Sequence, residues 1–422
     1  MRALILTSST GGGHNMRARA FQEWSQTEPD LGRPPQLHRP LEKSHELYAF
    51  GVWLYNWIQR TAPFLHHGYF NFLEVVAIVR TSRPLGAHKY RKILEELQPD
   101  VLISVHDSLN HAFFDYARKV LGKDRVKCVT YCGELSGGYG FSRHWVNPSA
   151  DLFIGAVPET RAAAIRWGMA PDKAVVGGFL LRRCFYDEPA DEAGRTAFIR
   201  EQLHLDPQEF ILLLSASSRG VHNHVRFLDA LKRRGVDVQV VLLCGKNPLA
   251  EQEVSTWANA NPRARVRLLP HNTNVGNLMR SVSAIVARPG TGTTSEAIVS
   301  GCPLLLNCLG GVMPQERITV KFCREHGVAQ LIRSPNDLAR TVANWREHPE
   351  LPATIRLAMK KASPPMHPRD IVRMVAAVQV RAGSIAAGPI PVVEAARSLP
   401  PVGSPVLEKS LPQSIPVAGS VP

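Results

Sequence analysis

The sequence predicts an α/β protein built from two doubly wound domains in succession, and three observations predict it. Short apolar runs recur with helical stretches between them, the pattern of a parallel sheet. The pattern restarts after about residue 190. At 422 residues the chain also exceeds the roughly 250 to 300 residues at which single cores stop growing.

Taken in order, Ala3 to Thr7 reads as a buried strand, followed by Ser8-Ser-Thr-Gly-Gly-Gly-His14 and a helix from about Met16 to Gln26. This is a strand, glycine turn, helix opening. Further strands read at Val101 to Val105, Val126 to Tyr131 and Leu152 to Ala156, with a helix over Leu109 to Leu121. Between Leu181 and Glu192, Arg182, Arg183, Pro189 and several acids interrupt the hydrophobic rhythm and mark a linker. The second half supplies strands at Phe210 to Leu214, Val238 to Leu243, Val266 to Leu269, Ala284 to Ala287 and Pro303 to Asn307. Two domains, 1–185 and 186–382, are expected to face each other across a ligand cleft. From 383 to 422, Pro, Ser, Val and Gly dominate, so a disordered tail is expected there.

Composition narrows the class. Hydrophobic residues make up 44% and charged residues 20%, as in globular proteins. The seven cysteines are scattered without a Cys-x-x-Cys ladder, against a zinc module or disulfide framework and in keeping with a reduced compartment. No targeting segment is read at the start, and the aromatic-rich stretch Leu47 to Ile58 is shorter than the ~20 residues of a spanning helix. A cytoplasmic location is expected. Fifty Lys and Arg against 36 Asp and Glu give +14, which favours an anionic partner. The basic residues are spread along the chain, so no nucleic-acid partner is expected.

Two glycine turns carry the chemistry. Gly11-Gly12-Gly13-His14 lets the backbone approach a ligand while the next helix presents unpaired N–H groups. His14, at the carboxyl edge of the first strand and with a near-neutral intrinsic pKa, suits proton abstraction from a hydroxyl; equally, the glycines form only a tight turn and His14 caps the helix. The turn lacks the Gly-x-Gly-x-x-Gly and P-loop spacings, which excludes support for nicotinamide or ATP binding. In the second half, Arg288-Pro-Gly290-Thr-Gly292-Thr293-Thr-Ser-Glu296 turns from a strand into a helix. Its amides could hold a diphosphate and Glu296 could accept hydrogen bonds from ribose hydroxyls; the alternative is a Glu complementing the helix dipole. Met313-Pro-Gln315-Glu316-Arg317 offers a polar pair for sugar hydroxyls or simply a solvated loop, and the Leu213 to Gly220 turn, with Ser217, is a further phosphate-facing candidate.

In this order the motifs resemble those of the MGDG synthase and processive diacylglycerol glucosyltransferase family, relatives of the glycosyltransferase that makes lipid II. The resemblance covers roughly residues 1 to 350. Thr10-Gly-Gly-Gly-His14, Pro99-Asp-Val-Leu-Ile-Ser104-Val-His106, Gly177-Gly-Phe-Leu-Leu-Arg182 and Cys244-Gly-Lys246-Asn247 are similar to the family's segments. The most specific match is Gly290 to Ala297 with Gly301-Cys-Pro303, Asn307 and Gln315-Glu316. The resemblance implies a GT-B fold, a UDP-hexose held by Ser217, Gly290, Gly292, Thr293, Glu296, Gln315 and Glu316, and a lipid acceptor, diacylglycerol first. Gly11, Gly12, Gly13 and Asn15 would form the acceptor-side loop, with His14 and Glu134 as the catalytic pair. Inversion without a required metal or cofactor is also implied. The sequence departs from the family at Cys132-Gly-Glu134, where Glu134 stands for an aspartate, at Thr291, where the family has proline, and at Thr319, where it has asparagine.

The stretch Tyr48 to Lys92 holds Trp53, Tyr55, Trp57, Phe64, Tyr69, Phe70 and Phe72, then Arg80, Arg83, Lys89, Arg91 and Lys92. It reads as a peripheral surface for anionic lipid or as a buried helix with a solvated basic face. Rival readings of the whole are a UDP-sugar epimerase or hydrolase of the same fold and a non-catalytic nucleotide-sugar binder.

Overall fold

The computed structural model describes residues 1–380 apart from 11, 29–32, 62–64, 73, 75–82, 189, 217–222, 246 and 271–273. The tail expected at 383–422 lies outside the described residues, as do Gly11, Ser217, Phe64, Arg80 and Lys246.

Two six-stranded parallel sheets form the frame. The first has the order β2-β1-β3-β4-β5-β6, from β1 (Ala3–Leu6), β2 (Gln36–His38), β3 (Val101–Ser104), β4 (Lys127–Cys132), β5 (Leu152–Gly155) and β6 (Ala174–Val176). The second has the order β12-β11-β10-β7-β8-β9, from β7 (Ile211–Ser215), β8 (Gln239–Leu243), β9 (Val266–Leu269), β10 (Ala284–Ala287), β11 (Leu304–Asn307) and β12 (Ala329–Ile332). Leu4 to Leu6, Val101 to Ser104 and Leu212 to Leu214 are buried on both faces, which is why these strands read as unbroken apolar runs.

The site is shaped by helices α1 (Gly13–Ser25), α2 (Glu46–Thr61), α3 (Thr291–Ser300), α4 (Pro314–His326) and α5 (Pro368–Val380). The first helix begins earlier than the expected Met16, because Gly12 takes the N-cap position directly after the glycine turn. The expected second domain, 186–382, includes a helix that packs on the first lobe. Helix α5 returns to the first lobe, where Ile371, Val372 and Val375 join a core shared with β1, β3 and β4, and Arg373 pairs with Glu28 at 3.1 Å. The segment leading out of β6 is buried rather than loose: Tyr131 Oη donates to Gly178 O and accepts from Leu180 N, both at 2.9 Å. Among the described residues no helix is long and apolar enough to cross a membrane.

Candidate active site

In the first sheet, β1 lies between β2 and β3, and the chain leaves β1 and β3 toward opposite edges. Their carboxyl ends therefore open a crevice. His14, from the turn after β1, and His106, just past the end of β3, meet there with ring centroids 4.3 Å apart. In the second sheet β7 and β10 are the corresponding pair. Beyond β10 come Arg288, Pro289 and Gly290, the last of these the N-cap of α3. The two glycine turns face each other: a Cβ placed on Gly292 would lie 4.0 Å from Gly13 Cα and 3.5 Å from Met16 Cε.

His14 Nδ1 lies 2.7 Å from the carbonyl oxygen of Val105. A carbonyl can only accept, so Nδ1 carries the proton and Nε2 keeps its lone pair. The near-neutral pKa expected from the residue type is corrected by its surroundings. Burial, with the neighbouring His106 and Arg17, lowers His14 to about 3, although part of its surface stays open to the cleft. It is thus a neutral imidazole at physiological pH. Thr10 Oγ1 lies 2.6 Å from His106 Nε2, and Asp107 Oδ1 lies 3.0 Å from His106 Nδ1. Burial opposes ionisation of Asp107, but His106, His14 and His144 outweigh it and hold the carboxyl below its ordinary range.

Glu134 follows β4 on the same rim. Its backbone carbonyl accepts a hydrogen bond from the Thr160 hydroxyl, and its Oε2 is buried with no hydrogen-bond partner among the described residues. Burial raises its pKa to about 7 against the opposing charge of Arg17. Asn15 points away from a ligand role, since its amide donates to Ser9 Oγ at 3.2 Å and so braces the turn. Glu42 fastens the same turn by accepting from Ser9 N at 2.5 Å.

On the facing lobe, Gly292, Thr293 and Glu296 occupy the first turns of α3 and keep part of their surface open. Burial raises Glu296 to about 7, opposed by Arg182 and Arg17. Gln315 and Glu316 differ sharply. Glu316 is 4% exposed, and its carboxylate is gripped by Arg288 while it also accepts from Met313 N at 2.9 Å to cap α4. Each oxygen thus accepts at least one hydrogen bond within the second lobe, which braces the turn leading into α4. Gln315 donates to Tyr55 Oη across the lobes at 3.1 Å, and its buried Oε1 has no partner among the described residues. Sequence reading missed Arg17, Tyr55, Asp107 and Arg288. Only Arg17 left a signal, standing three residues after His14 on the same helix face.

Comparison with known proteins follows the same lines. Residues 219–313 match the glycosyltransferase family 28 C-terminal domain. The chain is 24% identical over 389 residues to the chloroplastic monogalactosyldiacylglycerol synthase of Spinacia oleracea, covering 86% of this chain and 70% of that protein. It is 24% identical over 260 residues to the processive diacylglycerol beta-glucosyltransferase of Bacillus licheniformis, covering 62% and 64%. Among solved structures, Acinetobacter baumannii MurG superposes with a TM-score of 0.57 at 15% identity, covering 89% of this chain and 99% of that one. Anabaena HepE in complex with UDP-glucose superposes with a TM-score of 0.53 at 16% identity, covering 90% and 100%. With two doubly wound lobes and facing glycine turns, the chain has the GT-B fold, and it is similar to glycosyltransferases, the MGDG synthases and diacylglycerol glucosyltransferases among them.

Proposed function

We propose that the protein transfers a hexose from a UDP-sugar to the hydroxyl of a lipid acceptor, diacylglycerol first, with inversion at an anionic membrane surface. The apposition of Gly13 and Gly292 carries this reading, because it sets a proton-accepting crevice against a helix N-terminus. Glu296 would accept from the ribose, Gly292 and Thr293 would lie along the diphosphate at the positive end of α3, and Gln315 Oε1 would receive a hexose hydroxyl. As the acceptor oxygen bonds to the anomeric carbon, the bond to UDP breaks and the acceptor proton passes to the crevice of His14 and Glu134. The helix end offers positive potential to the departing diphosphate, so no metal is proposed as required. The relatives named for diacylglycerol and the neighbour bound to UDP-glucose support the choice of substrates.

UDP release from a panel of UDP-hexoses, with and without diacylglycerol in anionic vesicles, tests this. Lipid-dependent release is expected, reduced about 100-fold or more in His14→Ala and also lost in Glu296→Ala. Release that ignores the lipid would instead mark an epimerase or hydrolase, and no release from any donor would mark a binder.

A further inference from the structure

Arg17 is only 4% exposed and comes from α1, three residues after His14. One face of α1 therefore presents both an imidazole and a guanidinium to the cleft. Arg17 Nη2 donates to Gly133 O at 3.0 Å within its own lobe and to Thr291 Oγ1 at 2.6 Å in the other lobe. Thr291 is the first residue of α3, so the cation sits at the amino end of that helix. The guanidinium is wedged between glycines: a Cβ on Gly133 would lie 2.1 Å from Nε, and one on Gly13 would lie 3.4 Å from Nη1.

Among the described residues no carboxylate forms an ion pair with Arg17, and both of its hydrogen bonds leave from Nη2 rather than from Nε or Nη1. A buried guanidinium held only by a carbonyl and a hydroxyl is costly unless an anion completes its surroundings. The charge of Arg17 favours ionisation of the flanking Glu134 and Glu296, but burial outweighs it, and neither carboxyl makes a hydrogen bond to the guanidinium. The arrangement also depends on Thr291: a proline there, as in the family the sequence resembles, would have no hydroxyl to receive Nη2.

We propose that Arg17 contacts the diphosphate of the donor across the lobe interface, so that one helix of the first lobe serves both ends of the bond exchange. This rests on the nucleotide-sugar reading above. As the bond between the anomeric carbon and the phosphate oxygen breaks, its electron pair passes to UDP, and the Nη1 end of the guanidinium shares the charge that accumulates there. The acceptor proton leaves on the His14 side, and nothing is oxidised or reduced. Because Arg17 reaches α3 only when the lobes meet, leaving-group stabilisation is coupled to closure.

Calorimetric titration of the full chain with UDP and with uridine, which shares the base and ribose but has no phosphate, tests this. The wild-type protein is expected to prefer UDP. Arg17→Ala is expected to lose about 10- to 100-fold in affinity for UDP with uridine unchanged, and Arg17→Lys, which keeps the buried charge, a smaller part of it. Thr291→Val, which removes only the acceptor on the protein side, is expected to keep the preference. Equal weakening of UDP and uridine in Arg17→Ala and Arg17→Lys, or a collapse in Thr291→Val matching that in Arg17→Ala, would overturn the role of Arg17 while leaving the donor reading intact. A wild-type protein that binds UDP no better than uridine would overturn both.

Discussion

At the scale of single residues, the crevice holds two proton acceptors of unequal strength. His14, lowered to about 3 by burial, His106 and Arg17, stays neutral from mildly acidic pH upward. It can orient a hydroxyl through the Nε2 lone pair but draws the proton weakly. Glu134, raised to about 7 chiefly by burial, is half ionised at neutrality and has an oxygen free of partners among the described residues. Turnover is therefore expected to rise with pH through a midpoint near 7 and level off about one unit above it, and Glu134→Gln should remove that limb with a loss of about 100-fold or more. A rate independent of pH between 5 and 8 would give the proton to His14 instead. Stability should move the other way. Because the folded pKa lies above the ordinary carboxyl value, the fold favours protonated Glu134; that contribution is full below about 4.5 and is lost as pH rises through about 7. Glu134→Gln, which imitates the protonated form, is thus expected to melt higher than the parent at pH 8, which a thermal scan would check.

At the scale of elements, α2 is two-faced. Val52, Asn56 and Ile58 are buried, whereas Leu47, Phe50, Trp53 and Trp57 are exposed along one stripe. Phe50, Trp53 and Trp57 stack in sequence with centroids 5.5 and 6.4 Å apart. The stretch is thus divided between its side chains: Tyr55 faces inward to Gln315, and the tryptophans face out. Tyr48 Oη accepts from Leu85 N at 3.1 Å, tying the helix to the segment with the exposed Arg83, Lys89, Arg91 and Lys92. Aromatic rings beside cations suit the headgroup region of an anionic bilayer. Trp53→Ser with Trp57→Ser, or charge reversal at Arg83, Lys89, Arg91 and Lys92, is expected to abolish co-sedimentation with anionic vesicles. Folding stability should change by no more than about 0.5 kcal/mol per exposed site. Undiminished sedimentation would remove the membrane from the proposal.

At the scale of the molecule, α4 latches the lobes together. Its Ile318 belongs to the core of the first lobe, Arg317 lies 5.3 Å from the Tyr139 ring, and His326 Nε2 meets Glu159 at 2.7 Å. The tightest contact is Gly140, whose φ of +104° excludes most side chains and whose added Cβ would fall 1.8 Å from Pro314 O. Backbone must move to admit it. Gly140→Ala is expected to loosen the latch at a cost of roughly 1–3 kcal/mol, to raise the donor KM and to enlarge the radius of gyration in solution scattering. A compact variant with parental KM would show that closure does not depend on this contact.

The interior strands were legible in the sequence because a parallel strand covered on both faces must be apolar throughout, as in Ala3 to Leu6 and Ala284 to Ala287. The edge strands β2, β6 and β12 were not: β2 and β6 have only three residues each, and Gln36 in β2 and Gln330 in β12 face water and break the apolar run. The glycine turns were legible for the same local reason, since close approach of backbone is written in consecutive residues. What the tertiary structure decided was the partner of each side chain. Arg17 meets Thr291 from 274 positions away and Tyr55 meets Gln315 from 260, while Glu316 is taken by Arg288 and α5 crosses back to the first lobe. Such pairings follow from how the lobes dock, and a one-dimensional pattern encodes the periodicity of an element but not the surface that covers it.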